Sequence, residues 1–194
     1  MTIERIIVGP LQTNCYLISD GGQAAVVDPG DDASVILDEI QKTGADLKFI
    51  INTHGHFDHT GASAAIRKRY GVLILAHQKE PLDGPPADHF LKEGDSVGIG
   101  GISLKIIDTP GHTKGGICLF IGNSVFSGDT LFDGNIGRTD LPGGSDALMA
   151  ESLKKLDQLI PEGATVYPGH GEIFKYRRGM ALEFLEYLQE GLPK

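Results

Sequence analysis

"INTHGHFDHTG", residues 51–61, sets His54, His56 and His59 around Asp58 in a chain with 7 histidines. Neighbouring imidazoles repel once protonated, so packing alone gives no reason for the crowding. A bound cation reverses that balance. The run lies between a buried-strand pattern, "LKFIINT" (47–53), and a helical stretch, "TGASAAIRKRYG" (60–71). In extended chain, residues i and i+2 point the same way. His54 and His56 therefore face one ion together. Asp58 and His59 lie past the bend at Phe57 and face a second. Gly55 and Gly61 ease the backbone turns.

Four donors cannot complete two sites, so other strand ends must supply more. His112 in "TPGHT" and His170 in "YPGHG" each follow Pro-Gly in a loop after a strand, and Asp129 in "SGDT" follows glycine after a strand. Neutral imidazole nitrogen and carboxylate oxygen suit zinc and related ions. The expected sets are His54, His56 and His112 for one ion and Asp58, His59 and His170 for the other, with Asp129 bridging. The expected cofactors are two divalent ions, zinc first, with iron or manganese as alternatives. Asp28 in "VVDPG" is read as orienting a ligand histidine from behind. His77 and His89 are read as surface or hydrogen-bonded histidines. Lys175, Arg177 and Arg178 are read as solvated helix surface, with contact to an anionic substrate as the second reading.

The rest of the chain frames this cluster. Its 194 residues, 40% hydrophobic and 22% charged, fit a soluble domain with a sizeable core. A net charge of −9 disfavours nucleic acid as a partner. "MTIERIIVGP" lacks a signal-peptide pattern, and no apolar run reaches the roughly 18 residues of a membrane span. A reducing cytoplasm is the expected compartment, and nothing fixes the oligomeric state. Cys15 and Cys118, both in apolar runs, read as buried small hydrophobes. Short strands are expected in "RIIVG", "NCYLISD", "QAAVVDPG", "VLILAH", "GDSVGIGG", "ISLKIIDT", "GICLFIG", "SVFSGD" and "ATVYPGHG". Helices are expected over 33–43, 60–71, 145–160 and, in "YRRGMALEFLEYLQEG", 176–191. Strands in two batches, each with helices, predict an α/β sandwich with a β interior.

"THGHFDHTG", "TPGHTKGG", "SGDTLF" and "YPGHGE", with "GPLQTNCYLI" and "VVDPG", resemble the metallo-β-lactamase-fold hydrolases in order and over almost the whole chain. The likeness is greatest to single-domain glyoxalase II-like members, in which "GRTDLPGG" also occurs. The resemblance implies a four-layer αββα sandwich with metals at one edge. It implies one domain over 1–194, without the C-terminal helical region that helps hold glutathione in full-length glyoxalase II. All seven residues match the family's ligand positions, and Asp129 matches the bridging carboxylate that typical β-lactamases lack. The implied activity is hydrolysis of a small acyl thioester resembling an S-2-hydroxyacylglutathione. Metal coordination lowers the pKa of water from about 15.7 to about 7. Asp58 and Asp129 would orient the resulting nucleophile, and Arg138 in "GRTD" is a candidate substrate contact. The main rival is a persulfide dioxygenase, a family sharing the cluster and the "GRTD" pattern but holding a single iron at the positions of His54, His112 and Asp129. A lactonase and a non-catalytic metal-binding scaffold are the remaining readings.

Overall fold

The computed structural model describes residues 1–190. Two six-stranded sheets are stacked face to face. The first contains β1 (Thr2–Val8), β2 (Thr13–Asp20), β3 (Gln23–Val27), β4 (Asp46–Ile51), β5 (Leu73–His77) and β6 (His89–Leu91), in that spatial order. The second begins with β7 (Ser96–Ile99), β8 (Ile102–Asp108), β9 (Ile117–Ile121) and β10 (Ser124–Gly128). A small ribbon, β11 (Leu131–Phe132) with β12 (Asn135–Ile136), interrupts the chain before β13 (Thr165–Pro168) and β14 (Phe174–Lys175) complete that sheet beyond β10.

Alternation along each strand builds the layers. Tyr16 and Ile18 of β2, Ala25 and Val27 of β3, Leu104 and Ile106 of β8, and Phe126 of β10 meet between the sheets. Their neighbours Cys15, Leu17, Ala24 and Val26 face outward under α1 (Ala33–Thr43), α2 (Phe57–Thr60) and α3 (Ser63–Tyr70), where Ile36, Ile40 and Ile66 cover them. Ile107, Cys118 and Val125 face the other way, under Met149, Leu153 and Leu156 of α4 (Asp146–Leu159). A 3-10 turn (Met180–Phe184) and α5 (Leu185–Glu190) complete that outer layer. This is the expected αββα sandwich. Cys15 and Cys118 are buried, unpaired and on opposite outer layers.

Some expected elements change. The helix expected over 60–71 is two pieces, α2 and α3, and it starts three residues early, next to the histidine cluster. The terminal helix begins at Met180 rather than Tyr176, because Tyr176 N–H donates to the Ala164 carbonyl (2.8 Å) and Gly179 turns at φ 91°. Its predicted last residue, Gly191, lies outside the described residues. Among the described residues, no helix is long and apolar enough to cross a membrane.

Strand direction gathers the polar loops. β3 and β4 run parallel, as do β10 and β13. β8 is antiparallel to β9, which is antiparallel to β10, so β8 and β10 share a direction. The C-terminal ends of β8, β10 and β13 therefore open at one edge of the second sheet. Asn14 at the start of β2 ties the first sheet to that edge through its side-chain bond to the Pro168 carbonyl (2.9 Å).

Candidate metal centre

His54 leaves the end of β4, His112 the end of β8, Asp129 the end of β10 and His170 the end of β13. His56 occupies the N-cap position of α2, and Asp58 and His59 lie in its single turn. All seven side chains converge. His112 Nε2 and His56 Nδ1 are 3.0 Å apart, and His59 Nε2 and His170 Nε2 3.2 Å. Asp129 stands between the two groups: Oδ2 is 3.6 Å from His112 Nε2 and 3.5 Å from His170 Nε2, and Oδ1 is 3.4 Å from His59 Nε2. Asp58 Oδ2 is 3.2 Å from His170 Nε2. Ligands at about 2.05 Å from a tetrahedral zinc lie about 3.3 Å from one another, close to these separations. His54–His56–His112 and Asp58–His59–His170 are each compact enough to hold an ion, as is His54–His59–Asp129.

On three of the rings, the partner of the outer nitrogen fixes which nitrogen carries the proton. His112 Nδ1 donates to the Arg138 carbonyl (2.7 Å) and His170 Nδ1 to the Leu11 carbonyl (3.1 Å), leaving both Nε2 lone pairs turned inward. Thr53 Oγ1 donates to Asp28 Oδ2 (2.6 Å) and so faces His54 Nδ1 (3.2 Å) as an acceptor. Asp28 Oδ2 also lies 3.1 Å from His59 Nδ1, and Asp28 Oδ1 accepts from Thr53 N (2.7 Å). Asp28 holds a left-handed backbone, φ 51°, just before Pro29, where such a conformation costs on the order of 1–3 kcal/mol.

The donor set fits a cation. His54 Nε2 and Asp129 Oδ1 are buried without a hydrogen-bond partner, a cost that a bound ion removes. Burial, then the charges of His59, His112, His56 and His170, push the His54 pKa well below the usual imidazole value. A neutral ring is the form that binds metal. Burial also leads the lowering at His56. For His59, burial pulls down, but Asp129, Asp28 and Asp58 outweigh it and raise the pKa to about 9. Three carboxylates around one buried point favour positive charge there, the charge a bound cation would supply. Burial pushes the Asp58 carboxyl up, yet His170, His59 and Thr13 together hold it below the carboxylate range.

The cluster lies at the floor of a cleft of about 590 Å³ walled by Leu11, Phe57, Phe132, Leu141 and Arg138. Arg138 pairs with Asp140 through two hydrogen bonds of 2.7 and 2.8 Å. Lys175, Arg177 and Arg178 are not in this wall. Lys175 binds Thr165 at the opposite end of β13, Arg177 pairs with Glu183, and Arg178 donates to the Asp157 carbonyl. His77 is buried, with Nε2 3.3 Å from Asp108 Oδ2, and His89 is exposed on β6. Sequence reading missed Glu80, a buried carboxylate that contacts two of the loops carrying these histidines. Nothing in "HQKEP" sets it apart from a surface glutamate.

Residues 8–170 match the family model of the metallo-beta-lactamase superfamily, and the chain belongs to that superfamily. Its αββα fold and edge-on polar cluster are those of a member of the metallo-hydrolase class. The chain is 34% identical to "Hydroxyacylglutathione hydrolase GloC" of Haemophilus influenzae, covering 88% of this chain and 91% of that one. The crystal structure of BLEG-1 B3 metallo-beta-lactamase aligns with a TM-score of 0.86 at 31% identity, over 96% of this chain and 99% of that one. ETHE1 from Myxococcus xanthus aligns with a TM-score of 0.82 at 27% identity, over 100% of this chain and 93% of that one.

Proposed function

We propose that this protein is a metal-dependent hydrolase of a small acyl thioester, of the S-2-hydroxyacylglutathione type, in a single domain. The observation carrying the reading is the position of Asp129 between two donor groups, within 3.4–3.6 Å of His59, His112 and His170. Similarity to a hydroxyacylglutathione hydrolase over nine-tenths of that relative's length supports the substrate class. His54, His56 and His112 would hold one divalent ion, Asp58, His59 and His170 a second, and Asp129 both. Bound there, the ions would acidify water and draw charge from a carbonyl oxygen.

The chain's own groups do the rest. Leu11, Phe57, Phe132 and Leu141 present apolar walls that seat the thioester and exclude bulk water from its carbonyl. Asp58 and Asp129 point carboxylate oxygens at the cleft floor, where they accept hydrogen bonds from the attacking water and fix its direction. The departing thiolate is a good leaving group, so no strong general acid is required. Arg138 lies at the cleft wall, and its carbonyl holds His112 in the inward-facing tautomer.

A second reading, a persulfide dioxygenase with a single iron on His54, His112 and Asp129, is favoured by the likeness to ETHE1 over the whole chain. An assay panel separates the two. Thiol release from S-lactoylglutathione or another acyl thioester, with no oxygen uptake on glutathione persulfide, is the expected result. Oxygen consumption with the persulfide and no thioester cleavage would overturn the hydrolase. A chromogenic β-lactam belongs in the panel and is expected to remain intact, despite the likeness to a B3 β-lactamase.

A further inference from the structure

Glu80 follows β5 and is buried, and it is not one of the side chains grouped closely enough to hold an ion. Its two carboxylate oxygens divide between two loops. Oε1 accepts from Gly55 N (2.8 Å), between His54 and His56, and Oε2 accepts from Gly115 N (2.7 Å), three residues after His112. Asp83 N donates to the Gly55 carbonyl (2.8 Å), so the 80–83 segment grips both polar faces of Gly55. Both glycines are sterically required. A Cβ on Gly55 would collide with the Pro81 carbonyl, and one on Gly115 would lie 2.8 Å from Glu80 Cβ and Oε2. The carboxylate is thus a strut between the two loops that bring His56 and His112 within 3.0 Å. Asp28 braces His59 and Thr53 in a comparable way, while Glu80 acts on the other group.

We infer that Glu80 is a positioning residue for the His54–His56–His112 group, setting the spacing of two loops so that this group binds a divalent cation tightly. This rests on reading the cluster as a metal centre. Backbone N–H bonds to an ionised carboxylate are short, strong and directional, so one carboxylate bonded to both loops couples their positions. The Asp58–His59–His170 group shares none of these bonds.

The test is a zinc titration of the full chain, stripped by chelator and competed against a chromophoric chelator. His112→Ala and His170→Ala identify which binding step belongs to which group. Glu80→Ala is expected to weaken the step that His112→Ala loses by about tenfold or more, and to leave the step that His170→Ala loses nearly unchanged. Glu80→Gln keeps one acceptor oxygen and should give an intermediate loss at the same step. If the wild type shows one step only, Glu80→Ala must weaken that step. Both steps unchanged, or both weakened alike in proportion to a lower melting temperature, would overturn the assignment and leave Glu80 as ordinary structure. Glu80→Gln decides the matter if Glu80→Ala does not fold. A wild type that binds no zinc, iron or manganese would instead sink the metal-centre reading, and this inference with it.

Discussion

Replacing Asp129 with alanine is expected to lower turnover by about a thousandfold, close to 4 kcal/mol of transition-state stabilisation, while the fold survives. The reason is the unusual position of this carboxylate. Oδ1 is buried without a hydrogen-bond partner, and the two oxygens lie within 3.4–4.0 Å of His54, His59, His112 and His170. A side chain bonded into the scaffold would support the fold, whereas this one has no hydrogen bond to it among the described residues. Its loss therefore removes the one acid common to both donor groups and leaves the sheets intact. Steady-state kinetics, elemental analysis and a thermal melt on the same preparation check this. Near-wild-type turnover and metal content in Asp129→Ala would refute the role given to it.

Gly169→Ala should come second in effect, at about a hundredfold in turnover, the scale at which a displacement of roughly 1 Å is felt in a catalytic site. The backbone at Gly169 is held on both sides. Its N–H donates to the Gly128 carbonyl (2.8 Å), and its carbonyl accepts from Asn14 N (2.7 Å). A Cβ there would collide with Asp129 Oδ1 and lie 2.8 Å from His59 Cε1. The pinned chain cannot yield, so the carboxylate and the imidazole must. Overpacking of this kind costs on the order of 1–3 kcal/mol in stability, which a melt would register. Wild-type turnover with two firmly held ions in Gly169→Ala would show that the cluster tolerates the displacement and that its geometry is looser than described.

Much of the architecture was readable because local signals agreed with tertiary demands. The segment "ASVILDEIQKTG" carries a helical stripe ending at Gly44, and α1 covers Ala33–Thr43 with Gly44 in the left-handed conformation. "GICLFIG" and "SVFSGD", both expected as strands, are β9 and β10, which pair antiparallel. What escaped was non-local. β6 is three residues long and follows a loop rich in proline, glycine and aspartate. It is a strand because β5 offers it a parallel edge. β14 and the β11–β12 ribbon have two residues per strand, too short for any period to register.

The site divides the same way. Histidine and aspartate after strand ends are visible as letters, so the seven converging side chains could be named in advance. Their bracing is another matter. Asp28 could be suspected from "VVDPG", but Glu80 acts through two backbone N–H groups 25 and 35 positions away. Such partners leave no side-chain pattern. The basic residues Lys175, Arg177 and Arg178 read in sequence first as solvated surface and second as an anion contact. They lie on β14 and the turn after it, outside the cleft wall, bonded to Thr165, Glu183 and Asp157.

On this reading the seven side chains hold a pair of cations. Elemental analysis of the purified chain, coupled to stripping by chelator and refilling, measures that pair. Two divalent ions per chain, with thioester hydrolysis lost on stripping and regained on refilling, is the predicted result. A single ion at full activity, or undiminished hydrolysis by the stripped chain, would contradict it.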